Sequence, residues 1–135
     1  MIKQLTIQTK KKTEMINITE EIEKIIKESG LKEGRCYLFV PHTTAGITVN
    51  EGADPAVAED ILDKLSELVP ESQDYHHTEG NAEAHIKSTL VGISLTLLIK
   101  NSQLVLGTWQ SVFFCEFDGP RQRKVIIRLW SAEDN

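Results

Sequence analysis

Residues 93–130, ISLTLLIKNSQLVLGTWQSVFFCEFDGPRQRKVIIRLW, carry the reading of the fold. Three β-rich runs succeed one another: ISLTLLI, QLVLGTWQSVFFCEF and KVIIRLW. KNSQ and DGPRQ are the turns between them, rich in the residues that turns require. Strands gathered late in the chain, after helices that come earlier, point to an α+β domain with a largely antiparallel sheet rather than a doubly wound parallel one.

Upstream, Leu5, Ile7 and Thr9 alternate with polar residues and predict a first strand. NITEEIEKIIKESG predicts a helix with Ile18, Ile22, Ile25 and Ile26 on one face, Asn17 or Thr19 as its cap and Gly30 as its stop. RCYLFVP and GITVN read as strands, the first a short apolar run closed by Pro41. DPAVAEDILDKLSELVP is the clearest helix. Asp54 suits the N-cap, Pro55 the first helical position, and Val57, Ile61, Leu62, Leu65 and Leu68 line one side. NAEAHIKSTLVG predicts a shorter helix between Asn81 and Gly92. The expectation is one domain over residues 1–135: an antiparallel β sandwich with two to three helices.

The bulk properties agree. A chain of 135 residues suits one domain, and 40% hydrophobic with 26% charged residues is an ordinary globular mixture. A net charge of −5 argues against a nucleic-acid binder working through bulk charge. Cys36 and Cys115 form no CxxC pair and sit in apolar runs, so they read as buried free thiols. No signal-peptide h-region and no membrane-length apolar stretch is visible, which predicts a soluble cytoplasmic protein without a membrane partner.

The common catalytic and nucleotide motifs are absent, and the chemistry-bearing residues lie in three polar clusters at element ends. The first, PHTTAGITVNEGADP, holds His42, the Thr43 and Thr44 hydroxyls, and the Glu51 and Asp54 carboxylates, with Gly46 permitting close backbone approach. Asp54 is explained by helix capping, and His42 reads either as a ligand or as a structural histidine. The second, DYHHTEGNAEAH, holds His76, His77 and His85. Neighbours on an extended loop point to opposite sides, so one of His76 and His77 joins His85 if a metal is held there; otherwise this is a polar loop. The third, EFDGPRQRK, places Arg121 and Arg123 on one face if a strand follows, an arrangement suited to phosphate or carboxylate, or else a solvated strand end. Trp109 offers a stacking indole, although a tryptophan in such a run is more often core.

Together PHTTAGITVNEGADP, EGNAEAHIKSTLVGISL and LVLGTWQSVFFCEFDGPRQRK resemble the three signature blocks of the YjbQ-like family, also called the secondary thiamine-phosphate synthase family. The resemblance runs from about Arg35 to about Arg128. Gly52 stands where Asn is common and Glu83 where Asp is common. The resemblance implies a homotrimer and a histidine-lined metal pocket made by His42, His77 and His85, with His76 a bystander. It implies formation of thiamine phosphate: a thiazole phosphate nitrogen attacks the methylene of a hydroxymethylpyrimidine diphosphate, and pyrophosphate leaves. Such a reaction needs alignment of two rings and charge stabilisation on the leaving group. Glu51, Asp118 and Arg121 are then the catalytic candidates, and Thr43, Thr44, Asn81, Trp109, Arg121 and Arg123 the substrate-binding ones. The cofactor is a divalent metal, zinc by ligand type and magnesium by the chemistry of diphosphates; the partner is a small phosphorylated molecule. The other readings are a non-catalytic trimeric module that holds a metal or an anion, and a metal-assisted hydrolase.

Overall fold

The run QSVFFCE owes its central apolar stretch, VFFC, to a strand covered on both faces, as in the computed structural model, which describes residues 2–134. In chain order the elements are β1 (Ile2–Gln8), β2 (Glu14–Asn17), α1 (Thr19–Ser29), β3 (Glu33–Phe39), β4 (Ala45–Glu51), α2 (Pro55–Leu68), α3 (Ala82–Val91), β5 (Ser94–Lys100), β6 (Gln103–Leu104), β7 (Gln110–Glu116) and β8 (Gln122–Ser131). A five-stranded sheet runs β1-β8-β3-β5-β6 and a three-stranded sheet runs β2-β7-β4, with every pairing antiparallel. The α+β antiparallel sandwich expected from the late strands is the observed architecture, with three helices.

The main core lies between the sheets. Cys36, Leu38 and Val40 meet Val125 and Ile127 from one layer and Ile47, Val112 and Phe114 from the other. Ile18, Ile22 and Ile26 bring α1 into the same core, and all three are almost fully buried. A second cluster covers the outer face of the small sheet, where Phe113, Cys115 and Phe117 pack against Ala84 of α3 and against Leu62 and Leu65 of α2. Odd and even residues of β7 thus face two different cores, which is the period-2 geometry of a strand. Burial pushes both thiols, Cys36 and Cys115, up to about 12, and both are free.

Several local expectations change. The residue at the α1 N-cap is Ile18, and no side chain caps the helix. Asn17 Oδ1 instead accepts from the Thr19 N–H at 3.1 Å and from its hydroxyl at 2.7 Å, while Thr19 Oγ1 accepts from Val112 N–H at 2.8 Å. These groups tie the helix start to β7. Gly30 ends α1 at φ 76°, a left-handed conformation that glycine adopts without steric cost. Asp54 caps α2 as expected, accepting from Ala56 N–H at 3.0 Å, with Pro55 opening the helix. Leu68 does not join the apolar side of α2; it is 65% exposed. β2 was not foreseen, being only four residues, EMIN, too short for a period to show.

Candidate functional site

β4 runs antiparallel to β7, so Ala45 pairs with Glu116 at one end and Glu51 with Gln110 at the other. Seven residues at the strand rise place those ends roughly 20 Å apart. This separation divides the candidate residues into two groups. Thr44, Asp118, Arg121 and Arg123 gather at the Ala45 end, together with His42, which follows β3, and Asn81, which precedes α3. Glu51 and Trp109 stand at the far end, where Gly52 N–H donates to the Trp109 carbonyl at 2.8 Å.

The Ala45 end is built on a buried ion pair. Glu116, fully buried, receives Arg123 Nε at 2.9 Å on Oε1 and Arg123 Nη2 on Oε2. The Thr9 hydroxyl donates to the same carboxylate at 2.7 Å and Asp118 N–H at 3.0 Å. Arg123 Nη2 also donates to Thr44 Oγ1 at 2.8 Å. Burial works to raise the Glu116 pKa, but the Arg123 bonds, the Asp118 N–H and the Thr9 hydroxyl outweigh it and hold the carboxyl below its usual range. Arg123 and Thr44 are therefore locked inside the fold, which corrects the picture of Arg121 and Arg123 as a shared anion-binding face. Arg121 lies just before β8, with its side chain 53% exposed, and only it presents a guanidinium to solvent there.

A polar chain runs outward from this pair. Arg121 Nε donates to the Asp118 carbonyl at 2.7 Å and Nη2 to Asp118 Oδ2 at 2.9 Å. Asn81 Nδ2 donates to the same Oδ2 at 2.9 Å, and Asn81 Oδ1 meets His77 Nε2 at 2.8 Å. Asn81 spends its side chain on this bridge rather than on capping α3, its N-cap position notwithstanding. Burial alone would raise the Asp118 pKa; the bonds from Asn81 and Arg121 lower it, so the carboxylate is ionised near neutral pH. His77 and His85 meet edge to face, ring centroids 5.2 Å apart and planes at 82°. His76 is exposed beside them, as is Thr43 beside His42.

His42 stands apart from that pair in its bonding. Its Nε2 accepts from Lys124 N–H at 3.0 Å. A ring nitrogen that accepts carries no proton, so this bond needs the neutral imidazole protonated on Nδ1. Burial, followed by the nearby Arg123 charge, lowers its pKa. In this rotamer His42 has no lone pair free for a metal. Among the described residues no three His, Cys, Asp or Glu side chains converge on one point.

α3 is pressed against this end of the sheet by close backbone contact. Ile47 N–H donates to the Gly92 carbonyl at 3.0 Å, and a Cβ on Gly46 would stand 2.8 Å from that oxygen. The close approach allowed by Gly46 thus serves helix docking. Ser88 Oγ adds a bond to the Ala45 carbonyl at 2.6 Å.

At the far end, Glu51 Oε2 accepts from Ala53 N–H at 2.7 Å, closing the turn into α2, and the residue borders a cleft of about 310 Å³. Trp109 is not core; it is 64% exposed on the loop before β7. Sequence reasoning missed Glu116 and Thr9. The available signal was an acid embedded in SVFFCEF, because a carboxylate in a strand covered on both faces must find a partner. No helix among the described residues is long and apolar enough to cross a membrane.

Comparison with known proteins matches residues 3–132 to the family model described as UPF0047 protein YjbQ-like. A UPF0047 protein of Methanocaldococcus jannaschii is 50% identical over 129 residues, covering 96% of this chain and 94% of that protein. The UPF0047 protein YugU of Bacillus subtilis is 48% identical, covering 96% and 98%. Among solved structures, an uncharacterised conserved protein of the YjbQ/UPF0047 family from Clostridium acetobutylicum superposes with a TM-score of 0.91 at 47% identity, covering 94% of this chain and 98% of that one. A protein of unknown function from Sulfolobus solfataricus superposes with a TM-score of 0.92 at 34% identity, covering 97% and 96%.

Proposed function

The chain belongs to the UPF0047 family of YjbQ-like proteins, and from that premise we propose that it is a metal-dependent transferase acting on a small phosphorylated substrate, with thiamine phosphate formation as its reaction. The observation that carries the proposal is the pairing of His77 with His85 and its hydrogen-bonded connection, through Asn81 and Asp118, to the exposed Arg121. Two imidazoles on one tetrahedral zinc, with Zn–N bonds of about 2.0–2.1 Å, have centroids roughly 5 Å apart. The pair stands at 5.2 Å, a spacing shown both by two ligands of one ion and by two rings packed edge to face. His42 would be the third ligand of such a site, and to serve it would have to give up the Lys124 N–H that its Nε2 accepts.

A divalent ion held there supplies charge stabilisation for a leaving diphosphate. The chain's own residues do the rest. Arg121 uses two of its five N–H donors on Asp118 and keeps the others for phosphate oxygens. Asp118 fixes that guanidinium in place, so little orientation is lost when substrate binds. Glu51 and Trp109 cannot reach the histidines of their own chain. In a homotrimer closed by head-to-tail contacts, the Trp109 end of one copy meets the histidine end of the next, and the exposed indole stacks on a substrate ring.

The test measures metal content and coupling of the two thiamine precursors in wild type, His85→Ala, Arg121→Ala and Trp109→Ala. The proposal expects bound metal lost in His85→Ala, product lost in all three, and activity partly regained when His85→Ala and Trp109→Ala subunits are mixed. Metal binding without product in wild type, across zinc and magnesium, favours the second reading: a non-catalytic metal- or anion-binding module. The locking of Arg123 and Thr44 inside the fold supports that reading, since it leaves a single guanidinium for the anion.

A further inference from the structure

We propose that the cavity between α3 and the end of α2 is a second ligand site, which binds a small zwitterion of the α-amino-acid class with its ammonium on Glu83 and its carboxylate on Lys87. The cavity holds about 330 Å³, and its lining includes Lys12, Ser66, Val69, Glu71, Glu83 and Lys87. That is the size of a small-molecule site.

Two ionisable groups that line it make no hydrogen bond among the described residues. Glu83 is 1% exposed, and neither carboxylate oxygen has a hydrogen bond among the described residues. Lys12 Nζ lies 3.2 Å from Glu83 Oε1 but is not aligned to donate to it, and it makes its shorter contact with Glu71. Lys87 is 3% exposed, yet among the described residues no carboxylate lies within ion-pair distance of its ammonium; the Phe117 ring, 6.0 Å away, is its aromatic neighbour. A carboxylate taken out of water with no hydrogen bond is expensive, and a buried acceptor left unmet is among the rarer features of native proteins.

The spacing and charge balance identify the ligand. Glu83 and Lys87 are four residues apart on α3, so both face the same side of the helix. His85, midway between them, faces the other side, which separates this cavity from the histidine site. The two lysines and two glutamates sum to no net charge, so the cavity has no excess for a phosphate or a lone cation. A neutral molecule with separated charges supplies both missing interactions at once: donors for the Glu83 oxygens and an acceptor for Lys87. Ser66 and Val69 also line the cavity, beside the two charged groups.

The experiment is calorimetric titration and thermal shift on the full chain, in a buffer free of amines and carboxylates, with each of the twenty common α-amino acids. At least one is expected to bind, with its methyl ester and its N-acetyl derivative each at least tenfold weaker. Glu83→Gln and Lys87→Met should each weaken binding tenfold or more. Should a variant fail to fold, the ester and N-acetyl comparison on the unmutated chain decides alone. The inference is overturned if no amino acid binds, or if ester, N-acetyl derivative and parent bind alike.

Discussion

The buried Glu116–Arg123 pair gives the most exacting test of how this end of the sandwich is held. Glu116→Gln keeps the volume but removes the counter-charge and turns one oxygen into a donor. Four donors converge on the carboxylate: the Thr9 hydroxyl, Asp118 N–H, and Arg123 Nε and Nη2. Whichever way the amide is turned, its NH₂ faces two of them. Arg123, 5% exposed, is left charged in the interior. Breaking a buried pair by removing one partner costs about 3–5 kcal/mol, against a total stability of roughly 5–15 kcal/mol for a domain. At this chain length that lowers Tm by about 10–20 °C. Arg123→Met should cost a similar amount, because it strands the Glu116 charge. Glu116→Leu with Arg123→Met removes both charges and should lie within about 2 kcal/mol of wild type, the residue of loss coming from the Thr9 hydroxyl and the Asp118 N–H.

Urea unfolding at fixed protein concentration of wild type, Glu116→Leu, Arg123→Met and Glu116→Leu/Arg123→Met measures all four corners of the cycle. A coupling below about 1 kcal/mol, or single variants that lose less than that, would refute the reasoning. The pH dependence is a second handle. The folded pKa of Glu116 is lowered, so its stabilisation is fully present above the ordinary carboxylate value of about 4.3 and is lost as pH falls through the folded value. Glu116→Gln should flatten that acid limb; an unchanged limb argues against the pair as its source.

Three further outcomes are expected. Imidazole titration followed by NMR should place His42 below the usual histidine value of about 6.5, because partial burial and Arg123 both disfavour its cation; a value above it contradicts the half-buried, accepting ring. Asp54→Ala should lower stability by about 1 kcal/mol through loss of the Ala56 cap, whereas an equal loss in Asp54→Asn would show that charge, not capping, is at work. Phe114→Ala should cost about 3–5 kcal/mol and Leu68→Ala less than about 0.5 kcal/mol, since one is fully buried and the other 65% exposed; comparable losses in chemical denaturation would mean that Leu68 is covered in solution.

The residues differ in how much of this was legible before the structure. Gly30, Asp54 and Pro55 act through their own backbone and nearest neighbours, and their roles at the helix ends were readable from position alone. The late strands were readable because their turns are short and their composition consistent. Arg121 and Arg123 were misread as a pair because the alternation rule holds only within a strand, and Arg121 precedes β8. Asn17 was read as a cap and Asn81 as a helix start, but Asn17 bonds Thr19, two residues on, whose hydroxyl is tied to β7, and Asn81 is claimed by Asp118 across 37 positions of sequence. Within one chain Glu51 and Asp118 are not neighbours, and no local pattern says so. Only the register of β4 against β7 reveals that the two acids stand at opposite ends.

That register also indicates what the buried pair is for. Glu116 ends β7, Thr44 precedes β4 and Arg123 lies in β8, so one carboxylate and one guanidinium join segments from both sheets. The Asp118 N–H that Glu116 receives is two residues along the same chain, and Asp118 in turn holds Arg121 and Asn81. Lys124, which donates to His42, follows Arg123 directly. An apolar substitute could match the pair in stability, yet it has no directional bonds with which to fix Asp118 or the start of β8. The double variant Glu116→Leu/Arg123→Met should therefore remain folded while its site loosens. The expected signs are a His42 titration that moves toward the free-histidine value and faster exchange of the Asp118 and Lys124 amides, with amides of the β3 core unchanged. Exchange and titration identical to wild type in a folded double variant would show that the sheets position the site without the pair, and that its contribution is to stability alone.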